Sequence, residues 1–411
     1  MLDQRSCPVV AHINAQFFAS TETFIYNYIS NFKRTIPICL SLDGQIVNPN
    51  QFPFPAHQCF GFEPPQLKKN LKDWLWVNLR QTIVGFMRPG LRQRSIDRLF
   101  WAYKILRRQN SILIHAHFGT VGWQILPLRD WLNVPLVVTF YGHDVAPDNS
   151  LRGSNWVIGR KELFRVGDLF LAEGPFMRQR LVELGCSPEK VELQRIGIDV
   201  DKIPFHVRKA KSGNRVVILF AGRFCEKKGL IYSLAAIQKL LKLRVDFEFR
   251  IVGDGELRTE VETYIHNYNL GEKVKLLGFL EHANYLEELD RADIFLHPSI
   301  TASDGDSEGG APTVLLEAQA SGLPIVSTYH CDIPNVTVPG ASALLVPEKD
   351  SDALASALSN LLEHQTIWEA MGQTGRTFVE QNHNIVDLAK RLEDKYFQLW
   401  ASRQKNNDVD L

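Results

Sequence analysis

Twice along this chain of 411 residues, short apolar runs alternate with stretches of helix length, and few folds accommodate that pattern. In the first half the runs at 9–13, 36–40, 112–114, 136–140 and 169–171 read as strands, with helical patterns near 22–32, 95–109, 120–132, 155–166 and 174–184 between them. The second half repeats the scheme. Its runs lie at 216–221, 247–252, 274–277, 294–296 and 325–327, and its helical stretches at 229–242, 256–269, 284–291 and 312–321. Successive strands joined through helices pair in parallel, because a parallel crossover needs the length that a helix supplies. The expected fold class is α/β, with two doubly wound, Rossmann-like domains facing a central cleft. The polar stretch 207–215 is the natural linker, which predicts domains at 1–207 and 213–380. Ligands then belong beyond the carboxyl ends of the strands, in the cleft.

Composition removes several alternatives. Formal net charge is zero, apolar residues make up 45% and charged residues 22%, so a globally basic nucleic-acid binder is not expected. Six cysteines at 7, 39, 59, 186, 225 and 331 include no C-x-x-C pair. That argues against a zinc site or a disulfide framework and suits a reducing cytosol. The start, Met-Leu-Asp-Gln-Arg, lacks a signal-peptide apolar region, and no run approaches the roughly 20 apolar residues of a membrane span. A cytoplasmic protein, or one peripheral at the inner face of the membrane, is expected.

Two motifs in the second half carry chemistry. The first, Gly222-Arg223-Phe-Cys-Glu-Lys227-Lys228-Gly229, leaves a strand and enters a helix. A cationic loop at a helix N-terminus suits a diphosphate: Arg offers a fork, Lys a point charge, and the helix end its free N–H groups. The second is Glu308-Gly309-Gly310-Ala-Pro312-Thr313-Val314-Leu-Leu-Glu317, followed by Ala-Gln-Ala-Ser-Gly322. Pro312 fits the first helical position and Gly322 the position just past the end, which predicts a helix over 312–321. The glycines let a ligand approach the backbone. Taken alone, Glu308 does no more than complement the helix dipole, and Glu317 is a solvated helix residue.

Together these motifs resemble those of the family 4 retaining glycosyltransferases, most of all the exopolysaccharide, capsular and colanic-acid types. The resemblance covers most of 139–350 and implies the GT-B architecture, with a last helix near 385–403 that crosses back to the first domain. It implies transfer of a sugar from a nucleotide-diphosphate sugar to a glycan or lipid-linked acceptor, with retention at the anomeric carbon and with neither metal nor cofactor. By the same resemblance Arg223 and Lys228 hold the phosphates, Glu308 a sugar hydroxyl and Glu317 the ribose. Gly222 and Gly253 form donor-side turns, Phe279 meets the base, and Gly309, Gly310, Thr313 and Val314 line the donor loop. One departure stands out: Glu308 and Glu317 enclose eight residues, where the family places seven. Asp304-Gly-Asp306 is a weak match to a D-x-D metal motif. A nucleotide-sugar 2-epimerase of the same architecture and a non-catalytic sugar-nucleotide-binding scaffold are the alternatives.

The first half supplies the acceptor side. Thr21-Glu22-Thr23-Phe24-Ile25 resembles the family's S-x-T-F-I element and nominates Thr23, although Ser20 or Thr21 equally reads as a helix cap. Of His115 and His117, only His117, nearer the strand's end, is expected to face the cleft; the pair is expected to diverge and to form no metal site. Thr139-Phe-Tyr141-Gly-His143-Asp144 carries Tyr141 where many family members have histidine. His143 reads equally as a substrate contact or a structural residue, and Asp144 as a residue that orients the loop. Finally, 66–110 holds eleven basic residues against two acidic ones, interleaved with Trp74, Trp76, Phe86, Phe100, Trp101 and Tyr103. Such a segment suits an anionic membrane surface, or else an ordinary solvated face whose aromatics complete the core.

Overall fold

The computed structural model describes residues 7–19, 22–44, 46–48, 50–63, 93–145, 153–210, 215–242, 245–310 and 312–409, with the side chains of 93–95, His143, 153–155 and 406–409 excluded. Two parallel sheets form the frame. The first comprises β1 (Val9–Asn14), β2 (Ile36–Ser41), β3 (Cys59–Gly61), β4 (Ser111–His117), β5 (Leu136–Phe140), β6 (Leu169–Ala172) and β7 (Val191–Leu193). Its order is β3-β2-β1-β4-β5-β6-β7. The second comprises β8 (Val216–Ala221), β9 (Phe247–Val252), β10 (Val274–Gly278), β11 (Ile294–His297), β12 (Ile325–Thr328) and β13 (Ala343–Val346), ordered β10-β9-β8-β11-β12-β13. In each sheet the strand order reverses beside the first strand, between β1 and β4 and between β8 and β11. Those switch points open crevices at the carboxyl ends, and both face the cleft.

Helices cover both faces of each sheet, which is why the central strands read as unbroken apolar runs. Every residue of β5, β6, β11 and β12 is buried. The strands β3, β7 and β13, each of three or four residues, and the helices Ser351–Glu363 and Trp368–Asn382 lie outside the apolar runs and helical stretches expected from the sequence. The helix around Glu317 runs from Thr313 to Ser321; Pro312 is its N-cap rather than its first residue, with ψ 124°. Gly322 closes it with φ +86°, and a Cβ there would lie 2.6 Å from the carbonyl oxygen of His206.

The last helix, Ile385–Val409, belongs to the first sheet. Ile385, Leu388, Ala389, Leu392 and Tyr396 share a core with Val10, Leu113, Val137 and Leu169. Its Glu393 accepts hydrogen bonds from the backbone N–H groups of Lys33, Arg34 and Thr35 at 3.1, 2.8 and 2.8 Å. The two halves also meet directly. Asp332, of the second half, accepts from the N–H of Phe176 and Met177 at 2.9 and 3.1 Å, capping the helix Pro175–Glu183 of the first. Ile196, Ile198 and Ile203 pack with Leu316, Val336 and Val379.

Of the basic stretch, 64–92 lies outside the described residues, as do Ser20, Thr21, Ala311 and the linker positions 211–214. In the helix Gln93–Arg108 the aromatics pack inward: Trp101 meets Phe62, and Phe100 and Tyr103 meet Trp131. Arg98 pairs with Asp43 at 2.7 Å.

Candidate active site

A cleft of about 660 Å³ lies where the two switch points face each other. From the second domain it is lined by Gly222, Arg223, Lys227, Lys228, Gly253, Phe279, His282, Glu308, Thr313, Val314 and Glu317, and from the first by Glu22, Thr23, Tyr141 and Glu173.

The loop after β8 is short because Gly229 turns it with φ +66°, and a Cβ there would lie 1.9 Å from the carbonyl oxygen of Pro298. That turn brings Lys228 onto Glu308, with Nζ 2.8 Å from Oε1 and 2.9 Å from Oε2. Ser299 Oγ donates to Oε1 at 2.8 Å, and His297 Nε2 lies 3.7 Å away. Burial alone would raise the Glu308 pKa; the Lys228 ammonium and His297 more than reverse this and hold it well below the ordinary carboxylate value. Behind it, the Glu308 N–H donates to His330 Nε2 at 3.2 Å while His330 Nδ1 faces Glu348 at 2.6 Å. The backbone and side chain of Glu308 are therefore both fixed.

Arg223 is exposed to the cleft and, among the described residues, makes no ion pair with a carboxylate. Contact with the Cys225 thiol helps raise its pKa above the ordinary arginine value. Lys227 is held by Asp306 at 3.0 Å and by the Ser307 carbonyl at 3.1 Å. The D-x-D candidate thus spends Asp306 on a lysine, while Asp304 accepts from the Asp306 N–H. Glu317 is buried and meets His282 Nε2 at 3.0 Å. Phe279 is 63% exposed on the cleft wall, a large ring open to a stacking partner. Gly253, with φ +133°, packs so closely on the Gly222 carbonyl that a Cβ would come within 1.9 Å.

On the first domain, Tyr141 reaches the cleft and His117 does not. His117 lies behind Tyr141, its Nδ1 3.0 Å from the Tyr141 hydroxyl, and lines a separate small cavity. The expected divergence of His115 and His117 is also overturned. Residues two apart on a strand share a face, and the two rings stack with centroids 4.6 Å apart. His12, from the adjacent β1, joins them, with Nδ1 3.2 Å from His117 Nε2. One ring nitrogen from each of the three lies within 4.8 Å of the others, a set that could ligate a metal. Burial pushes all three pKa values down, His117 to about 3. Both nitrogens of His115 already face hydroxyls, those of Tyr396 and Thr139 at 2.5 and 2.7 Å, whereas His12 Nε2 is buried without a partner among the described residues. Asp144 is buried and accepts from the N–H of Gly119 at 3.0 Å, which fixes the loop as a positioning group. Thr23 opens the helix Thr23–Asn31 at the cleft edge, beside Glu22, whose burial raises its pKa to about 7.

The loops after β5 and β11 touch through glycine. A Cβ on Gly142 would lie 2.1 Å from the Glu308 carbonyl oxygen, and one on Gly309 would lie 1.9 Å from Gly142 Cα. Sequence reasoning missed Glu173, His282, His297 and His330. Only a carboxylate or imidazole immediately beyond an apolar run could have flagged Glu173 and His297.

The sequence matches two family models, Glycosyltransferase Family 4 over residues 59–202 and Glycosyl transferases group 1 over residues 201–378. It is 35% identical over 395 residues to the amylovoran biosynthesis glycosyltransferase AmsK of Erwinia amylovora, covering 90% of this chain and 94% of that protein. It is 36% identical over 281 residues to WcaL of Salmonella typhimurium, a glycosyltransferase assigned to colanic acid biosynthesis, covering 67% and 68%. Among solved structures, Anabaena HepE in complex with UDP and glucose superposes with a TM-score of 0.72 at 14% identity, over 95% of this chain and all of that one. Sucrose-phosphate synthase from Thermosynechococcus elongatus gives 0.72 at 18% identity, over 96% and 100%. Motifs, GT-B fold and near full-length similarity agree, and the chain belongs to glycosyltransferase family 4.

Proposed function

We propose that the chain is a retaining, metal-independent glycosyltransferase that moves a sugar from a nucleoside-diphosphate sugar to a glycan or lipid-linked acceptor in cell-surface polysaccharide assembly. The carrying observation is the Lys228–Glu308 pair set beside Arg223 at the cleft. Arg223 and Lys228 take the diphosphate and offset the charge that grows as the glycosidic C–O bond breaks, usually a large contribution to such catalysis. Glu308 holds a hydroxyl of the transferred sugar, Glu317 the ribose diol, and Phe279 the base. The acceptor oxygen attacks the anomeric carbon, the electron pair leaves with the diphosphate, and the acceptor proton passes to the departing phosphate oxygen. The names of AmsK and WcaL support an exopolysaccharide acceptor, and the UDP and glucose in the HepE complex support a nucleotide-sugar donor. The 2-epimerase alternative is not favoured, since these relatives are glycosyltransferases. No described helix is long and apolar enough to cross a membrane; attachment to an anionic leaflet through 66–110 is part of the proposal and rests on that segment's charge.

A thermal-shift panel of UDP-, GDP- and ADP-sugars tests the reading, because a bound donor raises stability by mass action. One donor class should stabilise the protein, transfer should survive EDTA, and NMR of the product should show the donor's anomeric configuration. No stabilisation and no turnover with any donor would overturn it. Epimerisation of donor alone would favour the rival.

A further inference from the structure

Glu173 follows β6 directly and precedes Gly174, the N-cap of the helix Pro175–Glu183. It is 7% exposed and lines both the cleft and the small cavity behind Tyr141. Among the described residues nothing donates a hydrogen bond to its carboxyl and no cation pairs with it. A buried carboxyl without partners is costly, and this one stands at the meeting point of the two domains. A Cβ on Gly310 would lie 1.5 Å from Glu173 Oε2, so the carboxyl reaches across to the Glu308–Gly309–Gly310 loop. Only glycine leaves room for that approach.

We infer that Glu173 is a further substrate-contacting residue of the transfer reaction, a carboxyl that hydrogen-bonds a hydroxyl of the acceptor sugar where it meets the transferred sugar. The inference rests on the glycosyltransferase reading above. Its position on a first-domain strand end assigns it to the acceptor, and its reach to Gly310 places it beside the donor loop. Its surroundings set its protonation state. Burial, then Asp332, Glu308 and Asp144, hold its pKa well above the ordinary carboxylate value. Tyr28, Tyr141, His12, His115 and His117 line the same small cavity, while Lys228 pairs with Glu308 and Arg195 lies beside Asp332. A neutral carboxyl both donates and accepts, which suits a sugar hydroxyl. It adds no charge beside the departing diphosphate. As pH rises through the raised pKa the group ionises, and transfer falls.

The test uses the full chain and measures transfer and acceptor-independent donor hydrolysis side by side. Glu173→Ala should raise the acceptor KM or lower transfer by about tenfold, the scale of one net hydrogen bond, with donor KM and hydrolysis within about threefold. Glu173→Gln, neutral at every pH, should restore transfer near pH 7 and remove the alkaline decline. A change in donor KM alone, an unaltered pH profile in Glu173→Gln, or wild-type acceptor kinetics in Glu173→Ala would each overturn the inference. Loss of hydrolysis together with transfer in a folded Glu173→Ala would do the same. Failure of wild-type transfer would instead fall on the glycosyltransferase reading itself.

Discussion

Lys228 Nζ spans both carboxylate oxygens of Glu308, at 2.8 and 2.9 Å, although the Glu308 side chain is only 7% exposed. On the proposed reading, this one ammonium both fixes the residue that holds the sugar and meets the phosphate that leaves it. Lys228→Ala should lower turnover by about 2–4 kcal/mol of transition-state stabilisation, the scale of one preorganised donor, and Arg223→Ala by a similar amount. Single-turnover rates check this; near-normal transfer in both variants would refute the phosphate role.

The same pair predicts a pH response of stability. The Glu308 pKa is depressed in the fold, so its contribution is present above the unfolded value near 4.5 and is lost as pH falls through the lower folded value. Melting temperatures from pH 3 to 7 should show a shallower acid decline in Lys228→Ala than in the wild type.

Glu308 and Glu317 occupy different parts of the cleft and should fail differently. Glu317→Gln should mainly raise the donor KM, since a buried carboxylate in a helix suits a diol with charge-assisted bonds. Glu308→Ala should suppress turnover. An unchanged donor KM in the first together with an active second would mean that the eight-residue spacing had been assigned wrongly.

His282 is hydrogen-bonded to Glu317. The hydrogen bond to Glu317 outweighs burial and raises the imidazole pKa. Whatever stability the protonated pair contributes is fully present below the unfolded value near 6.5 and fades as pH rises through the higher folded value. Proton NMR should place the His282 midpoint above 6.5 in the wild type and lower in Glu317→Gln; equal midpoints would count against the contact.

At the Gly142–Gly309 contact there is no space for a methyl group. Gly142→Ala should push the loops apart and lower turnover on the order of 100-fold, the cost of a displacement of about 1 Å at a reacting centre. Each domain's core lies elsewhere, so the melting temperature should move little.

Binding to vesicles tests the segment 66–110. Attachment to anionic but not neutral vesicles should weaken between 0.1 and 1 M salt, as the Debye length shrinks from about 10 to about 3 Å. Changing Arg92, Arg94, Arg98, Arg107 and Arg108 to Gln should abolish it. Equal binding to both vesicle types would leave the segment as a solvated face.

What the sequence disclosed, and what it hid, follows from how local each signal is. Gly222–Gly229 follows β8 directly and Glu308–Gly322 is a continuous loop and helix, so the cationic loop and the helix that carries Glu317 were legible in the local sequence, whereas the roles of Arg223, Lys228, Glu308 and Glu317 came from the family resemblance. Glu173 is a single carboxylate after a four-residue strand, indistinguishable from an ordinary first-turn acid until Gly310 arrives from 137 positions away. His12 and His117 lie in different strands, and their contact is a property of sheet order. The strands β3, β7 and β13 are too short to show a period, and take their place through neighbours already laid down. The expectation that His115 and His117 diverge failed on simple geometry, because alternate residues of a strand point the same way.

The cap that Asp332 places on the helix beginning at Pro175 makes two amides a gauge of how often the halves separate. Phe176 and Met177 donate to a carboxylate that belongs to the other domain, so neither proton can exchange with solvent through that route unless the cleft opens. Donor sugars that draw the halves together should slow deuterium uptake at these two positions. Their exchange rates thus become a clock for opening, readable without following the chemistry at all.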